Sequence, residues 1–167
     1  MRTTFNNWYD KKMRTTEELS AETDRAEKTL AKVSTIAVVG LSRSFHKDSQ
    51  FVARYLQNAG YNIVPVNPNA DEILGQKAYP DLKNIPHEID VVDVFLPPEH
   101  IHKAVDQALE LDPQPRAIWL QLGTGEQPDQ IKKIDGTDIE IYENRCIKVD
   151  HQFLIRSKEE SNSDKQE

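Results

Sequence analysis

Thr35-Ile-Ala-Val-Val-Gly40-Leu-Ser-Arg-Ser44 decides how this chain folds. A short run of β-branched or small apolar residues meets a glycine, and a polar loop follows. A helix-forming segment then extends over about 49–58. The pattern predicts a strand, a tight turn and a helix. Open parallel sheets place their ligands at that end of the strand, and a helix start there attracts phosphate.

Working outward, the helix carries Phe51, Val52, Tyr55, Leu56 and Ala59 on one side. Asp48 or Ser49 is the expected cap, and Gly60 sits where a left-handed residue ends the helix. Asn62-Ile-Val-Pro-Val66 is the second strand, ended by Asn67-Pro68-Asn69. Pro65 removes a ladder donor, which predicts a bulge. Residues 73–79 allow a turn and a short edge strand, and 82–86 a connection. Asp90-Val-Val-Asp-Val-Phe95 is the next strand, stopped by Leu96-Pro97-Pro98. A helix over about 99–109 turns Ile101, Val105, Ala108 and Leu109 inward. Ala117-Ile-Trp-Leu120 is a buried strand with a second glycine loop, Gln121-Leu-Gly-Thr-Gly125, behind it. A weak helix over 128–134 and a closing strand over 139–142 complete the alternation. The expected fold is an α/β, Rossmann-like, doubly wound parallel sheet in three layers with an extra N-terminal helix.

With 167 residues, one domain is expected, over 17–156. Residues 1–16 read as an irregular arm with isolated aromatics at Phe5, Trp8 and Tyr9, and the charged segment 157–167 as a disordered tail. Thr15-Thr-Glu-Glu18 fits a capping box. The helix behind it carries a narrow stripe of Leu19, Thr23, Ala26, Leu30 and Val33, which predicts packing on the sheet or on another subunit, a second copy or another protein. A net charge of -7 argues against a general nucleic-acid or anionic-membrane surface. No apolar run reaches the roughly 18 residues of a membrane span, and no secretion signal opens the chain, so a cytoplasmic protein is expected. A single cysteine, Cys146, excludes an internal disulfide or a cysteine metal cluster.

Topology narrows the site. If residues 76–78 form an edge strand, the 90–95 strand lies beside the first one. Three groups then converge at the switch point: the turn from Gly40 to Lys47, Val66-Asn67-Pro68, and Phe95-Leu96-Pro97. Gln121 and Gly123 belong to the next strand end. A dinucleotide fingerprint needs glycines at the positions of Ser42 and Phe45 and an acid at that of Asn67. All are absent, which disfavours NAD. What remains is a phosphate-friendly turn, with Ser42 and Ser44 hydroxyls, free N–H groups at a helix start, and the charges of Arg43 and Lys47.

Taken together and in order, Ile36-Ala-Val-Val-Gly-Leu-Ser42, Lys47-Asp-Ser49, Val52-Ala-Arg-Tyr-Leu56, Gly60-Tyr61, Val64-Pro-Val-Asn-Pro68, Ile73-Leu-Gly75, Asp90-Val-Val-Asp-Val-Phe95, Trp119-Leu-Gln-Leu-Gly123 and Asn144-Arg-Cys146 closely resemble the small stand-alone CoA-binding-domain proteins. These look like the N-terminal domain of the succinyl-CoA synthetase alpha subunit without its other domains. The resemblance covers about 33–151. It implies that Gly40, Leu41 and Ser42 meet the diphosphate and pantetheine of coenzyme A or an acyl-CoA, with Lys47 and Ser49 helping at the helix start. It places Val66, Asn67 and Pro68 at the nucleotide end and Phe95, Leu96 and Pro97 on the opposite wall. Two positions depart from the family pattern: Leu96 stands where arginine is frequent, and Thr124-Gly125 where a branched apolar residue is.

Other candidates read as structural. Cys146 is a small buried residue or else a thiol able to pair with CoA. His46 is an exposed loop residue. His100 and His102 diverge at a helix start. Asp90 starts a strand, and Asp93 lies on the opposite face, so the two do not form a carboxylate pair. Gly123-Thr-Gly125 reads as a plain turn, with a second phosphate site as the alternative. The reading is therefore a CoA-binding module without autonomous catalysis. The alternatives are an NAD(P)-binding oxidoreductase or redox sensor, and an interaction module whose site is vestigial. Gly40→Val is expected to remove ligand while leaving the fold intact.

Overall fold

The computed structural model describes residues 14–163. The aromatic arm residues Phe5, Trp8 and Tyr9 lie outside them, as does the end of the charged tail. Helix α1 (Thr16–Leu30) opens with the expected capping box: Glu18 N–H donates to Thr15 Oγ1 at 3.1 Å, and Thr15 N–H to Glu18 Oε2 at 2.8 Å. Ala26, Leu30 and Val33 of the expected stripe are buried, but at its start Leu19 is 45% exposed and Thr23 half-buried, and Glu22 is buried instead. The face has rotated toward Glu22 because Arg14 and Arg145 meet its carboxylate, so a buried charge is paired rather than isolated.

Next come β1 (Thr35–Val39), α2 (Asp48–Asn58), β2 (Asn62–Val66), and a hairpin of β3 (Glu72–Ile73) and β4 (Gln76–Lys77). They are followed by β5 (Val91–Val94), α3 (Ile101–Leu109), β6 (Ala117–Leu120), α4 (Pro128–Ile134) and β7 (Glu140–Tyr142). The five main strands are all parallel, in the order β2-β1-β5-β6-β7. The edge strand expected over 76–78 does not join this sheet: Gln76–Lys77 pair with β3 in the separate hairpin, and only Tyr79, just after β4, makes an isolated parallel bridge to Val66 at the outer edge of β2. The order of the five main strands is the doubly wound one expected for the chain.

The strands are apolar on both faces because both faces are covered. Ile36, Val38, Val91 and Trp119 meet α1, α2 and Ile147 on one side. Ala37, Val39, Val92, Val94, Ile118 and Leu120 meet α3 and Ile134 of α4 on the other. The result is three layers.

Some local expectations change. Pro65 makes no bulge: β2 pairs with β1 in unbroken register, Val38 opposite Pro65. Its carbonyl accepts from Tyr79 N–H on the outer side, so the missing donor faces the outer edge and costs the β1–β2 ladder nothing. Helix α2 exposes Phe51 and buries Gln50 and Ala53 instead. It ends as expected: Gly60 takes φ +101°, its N–H donates to Gln57 O, and Tyr61 N–H donates to Leu56 O. A single 3-10 turn, Pro98–His100, precedes α3, and Leu109 is only half-buried while Ala104 joins the core.

The tail also differs. Residues α5 (Ile147–His151), a π-helical turn (Gln152–Arg156) and α6 (Ser157–Ser163) run on as one helical segment. Helix is propagated past Ser157 by the Arg156–Glu160 pair at 2.9 Å and by Ser157 Oγ donating to Phe153 O, and Lys158 ties it back to Glu27 of α1 at 2.5 Å. No helix among the described residues is long and apolar enough to cross a membrane.

Candidate functional site

Gly40 stands where the C-terminal ends of three strands meet. Its N–H donates to Val66 O of β2 at 3.0 Å, and its Cα faces the Phe95 carbonyl beyond β5. With φ at +81°, a Cβ here would sit 3.0 Å from the Phe95 carbonyl carbon and closer still to the oxygen. The glycine is thus demanded by the protein's own backbone before any ligand arrives. This corrects the expectation that Gly40→Val would spare the fold.

The loop after Gly40 is braced from inside. Ser42 N–H donates to Ser49 Oγ at 3.0 Å, so Ser49 does not cap its own helix but holds the loop against it. Ser44 N–H donates to Ser42 Oγ at 3.0 Å, and Gln50 Nε2 to Arg43 O at 3.0 Å. From β2, Asn67 Nδ2 donates to Leu41 O at 2.8 Å, while its Oδ1 accepts from Asn69 N–H. An acid at that position would set a carboxylate against the Leu41 carbonyl. The asparagine is therefore the residue that lets β2 and the loop close on each other.

The sequence-predicted residues fall into three groups. Arg43, Ser44, Lys47, Pro68 and Pro97 are exposed; Gly40, Ser42, Asn67, Phe95 and Leu96 are half-buried. Leu41, Ser49, Val66 and Gln121 are buried, so Leu41 and Val66 present only their backbone to the crevice. All lie at the C-terminal edge of the sheet. Helix α2 starts at Lys47 without a side-chain cap, in contrast to the cap expected at Asp48 or Ser49. Among the described residues, neither Arg43 nor Lys47 makes an ion pair. Uncapped N–H groups and two free cations make this end of the crevice attractive to anions.

The remaining candidates separate cleanly. His46 is exposed and edge-on to Phe45, and Arg54 lies over that phenyl ring at 4.0 Å. His100 and His102 are both exposed. Cys146 is half-buried against the core. Gly123 N–H is taken by Asn144 Oδ1 at 2.8 Å, and Thr124 Oγ1 donates to Gln121 O, so the second glycine loop is tied to the protein itself. Asp90 pins the start of β5 to β1: its Oδ2 accepts from Ser34 N–H, Thr35 N–H and Ser34 Oγ. Burial works against its ionisation, but those bonds and nearby Arg116 outweigh it and hold the carboxyl below its ordinary value.

Two polar side chains under the crevice have roles that the sequence reading did not assign. Gln50 supports the loop from α2. Asp93, in the middle of β5, is fully buried and is touched by Gln121 Nε2. The signal was present: one acid in an otherwise apolar strand, and a glutamine directly after another. Two cavities of about 800 and 790 Å³ lie away from this crevice, at the other end of the sheet, around Gly60 and around Asp112–Arg116.

Comparison with known proteins places the chain. The profile of the CoA binding domain matches residues 34–152. YneT of Bacillus subtilis, itself uncharacterised, is 41% identical over 117 residues, covering 70% of this chain and 84% of YneT. The ADP-forming acetate–CoA ligase II of Archaeoglobus fulgidus is 28% identical over 116 residues, 68% of this chain but only 17% of the ligase. A solved hypothetical protein from Pyrococcus horikoshii superimposes with a TM-score of 0.76 at 32% identity, covering 86% of this chain and 98% of that one. A braced glycine loop at the switch point of a parallel sheet, and a profile match over most of the chain, lead to one conclusion: this protein belongs to the CoA-binding domain family.

Proposed function

We propose that the crevice between the ends of β1, β2 and β5 binds coenzyme A or an acyl-CoA, and that the chain does so as a binding module without catalysis of its own. The observation that carries this reading is the anion-attracting start of α2, uncapped and flanked by Arg43 and Lys47, which make no ion pair among the described residues, beside a loop already braced by Ser49, Gln50 and Asn67. CoA brings a diphosphate and a 3′-phosphate, and needs no acid for a ribose diol. Gly40, Leu41, Ser42, Ser44, Lys47 and Ser49 form the phosphate side in this reading; Val66, Asn67 and Pro68 form the nucleotide end; Phe95, Leu96, Pro97 and Gln121 form the far wall. Among the described residues, no hydroxyl or thiol of the crevice is hydrogen-bonded to a histidine. The Tyr55–His151 pair, at 2.9 Å, lies near the Gly60 cavity.

Titration calorimetry with CoA, acetyl-CoA and NADH tests the reading. Saturable binding of CoA or its thioester, weakened about tenfold by Lys47→Ala or Arg43→Ala, is expected, as loss of one charge-assisted hydrogen bond implies. Tight NADH binding with none of CoA would overturn it.

A further inference from the structure

Asp93 has no exposed surface. It faces the α1–α2 side of the sheet, with Val38 of β1 and Trp119 of β6 opposite it in register. Its Oδ1 accepts from Gln121 Nε2, and its Oδ2 reaches no partner among the described residues. The titratable and charged side chains buried or half-buried on that side include Glu22 of α1, Tyr55 of α2, Tyr142 of β7, Arg145 before α5, and Asp150 and His151 of α5, with Arg43, Lys47 and Asp48 exposed at the start of α2. Arg145 approaches both acids, and Asp150 also takes the Trp119 indole N–H. Burial pushes the Asp93 carboxyl up to about 8, and only the Gln121 bond pulls the other way.

A neutral carboxyl must place its own O–H proton on an acceptor. Turning the Gln121 amide by half a revolution exchanges Oε1 and Nε2 without changing the space the side chain fills, and offers Oε1 to that proton. The amide NH₂ is then left to point away from Asp93. Gln121 follows β6, and its N–H donates to Val94 O at the end of β5, next to Phe95. Gln121 thus stands at the strand end that forms the far wall of the crevice, two strands from Gly40 with β5 between them, and its side chain is almost wholly buried there.

We propose that protonated Asp93 is the positioning residue that holds Gln121 with its NH₂ toward the crevice, where it donates to a carbonyl oxygen of the pantetheine or acyl end of the bound ligand. Ionised Asp93 takes the NH₂ for itself and turns Oε1 outward, so that an acceptor faces the ligand's acceptor. This inference rests on the CoA reading above. It makes Asp93 a proton-dependent determinant of ligand grip without contact to the ligand.

Two measurements test it. In ligand-free, isotope-labelled protein, the Gln121 side-chain NH₂ signals are expected to step at the same midpoint as the Asp93 carboxyl carbon, and to show no such step in Asp93→Asn. Asparagine can donate to Gln121 Oε1 as the neutral acid does. Calorimetric CoA affinity between about pH 6 and about pH 10 is then expected to fall about tenfold more in the wild type than in Asp93→Asn, as one lost hydrogen bond to the ligand implies. Phosphate titration is common to both proteins and cancels. Gln121 signals that ignore Asp93 ionisation would overturn the inference, as would parallel affinity profiles in the two proteins. Absence of CoA binding at every pH would remove the CoA reading, and the resonance arm would still judge the amide turn by itself.

Discussion

Gly40→Ala puts the convergence of the three strand ends to the test. Two costs can be worked from the structure. At φ +81° a non-glycine residue is strained by about 1–2 kcal/mol. The new Cβ would also lie 3.2 Å from Leu96 Cδ2 and 3.0 Å from the Phe95 carbonyl carbon, with the carbonyl oxygen nearer still. The leucine methyl can swing aside, but the carbonyl is backbone. Relief requires β1 and β5 to part, which stretches the Phe95 N–Val39 O bond of 2.8 Å. That bond is worth about 1 kcal/mol net. The sum is a loss of about 2–3 kcal/mol, a large share of the roughly 5–15 kcal/mol of a typical domain. Urea unfolding followed by far-ultraviolet circular dichroism reads it as a lower midpoint at unchanged slope. Gly123→Ala is the control: φ is +91° there but nothing lies near its Cβ, so only the strain of about 1–2 kcal/mol is expected. A Gly40→Ala loss no larger than that of Gly123→Ala would refute the close-approach reasoning and return this glycine to the ligand.

Asp93→Asn should change the pH dependence of stability. The folded carboxyl titrates at about 8 against 3.8 for the free group, so its contribution is full below about pH 4 and is lost as pH rises through 8. Between those limits the wild type should lose on the order of 5 kcal/mol relative to the variant in chemical denaturation; parallel curves would remove the buried acid. His151 runs the other way. Burial lowers it below its ordinary 6.5, with Glu159 opposing and Arg156 adding, so stability should fall as pH drops below 6.5. His151→Gln should flatten that acid limb of the melting curve, and an unchanged limb would absolve the histidine. Asn67→Asp should destabilise by about 1–3 kcal/mol, because the Leu41 carbonyl loses its donor and faces a carboxylate. It should also fail to create NADH binding; a saturable NADH signal would show that the acid alone was missing.

The strands were the most legible part of the chain. A strand covered on both faces must be apolar throughout, and 35–39, 91–94 and 117–120 are nearly so. Their order followed from the parallel connections and from an edge strand expected over 76–78, of which the structure keeps only the isolated bridge at Tyr79. The crevice was legible as a place, because topology brings Gly40, Asn67 and Phe95 to one edge. What individual side chains do there was not. Ser49 reads as a cap because serine at a helix start usually is one; here Ser42 N–H reaches it first. Leu19 and Phe51 read as core because they are large and apolar, yet their helices are rotated by tertiary pairing at Glu22 and by the small Ala53. Asp93 was set aside because it does not face Asp90. Its isolation is what gives it a chemistry. The tail beyond Ser157 reads as disordered by composition, which carries no information about the helix that already precedes it.

The bracing of the Gly40–Lys47 loop has a kinetic consequence. Ser49, Gln50 and Asn67 hold the loop before any ligand is present, so a ligand meets a surface that needs no folding step. Association should then follow one exponential, with a rate set by diffusion and by salt through Arg43 and Lys47. Discrimination among related ligands should appear almost wholly in how long each one stays.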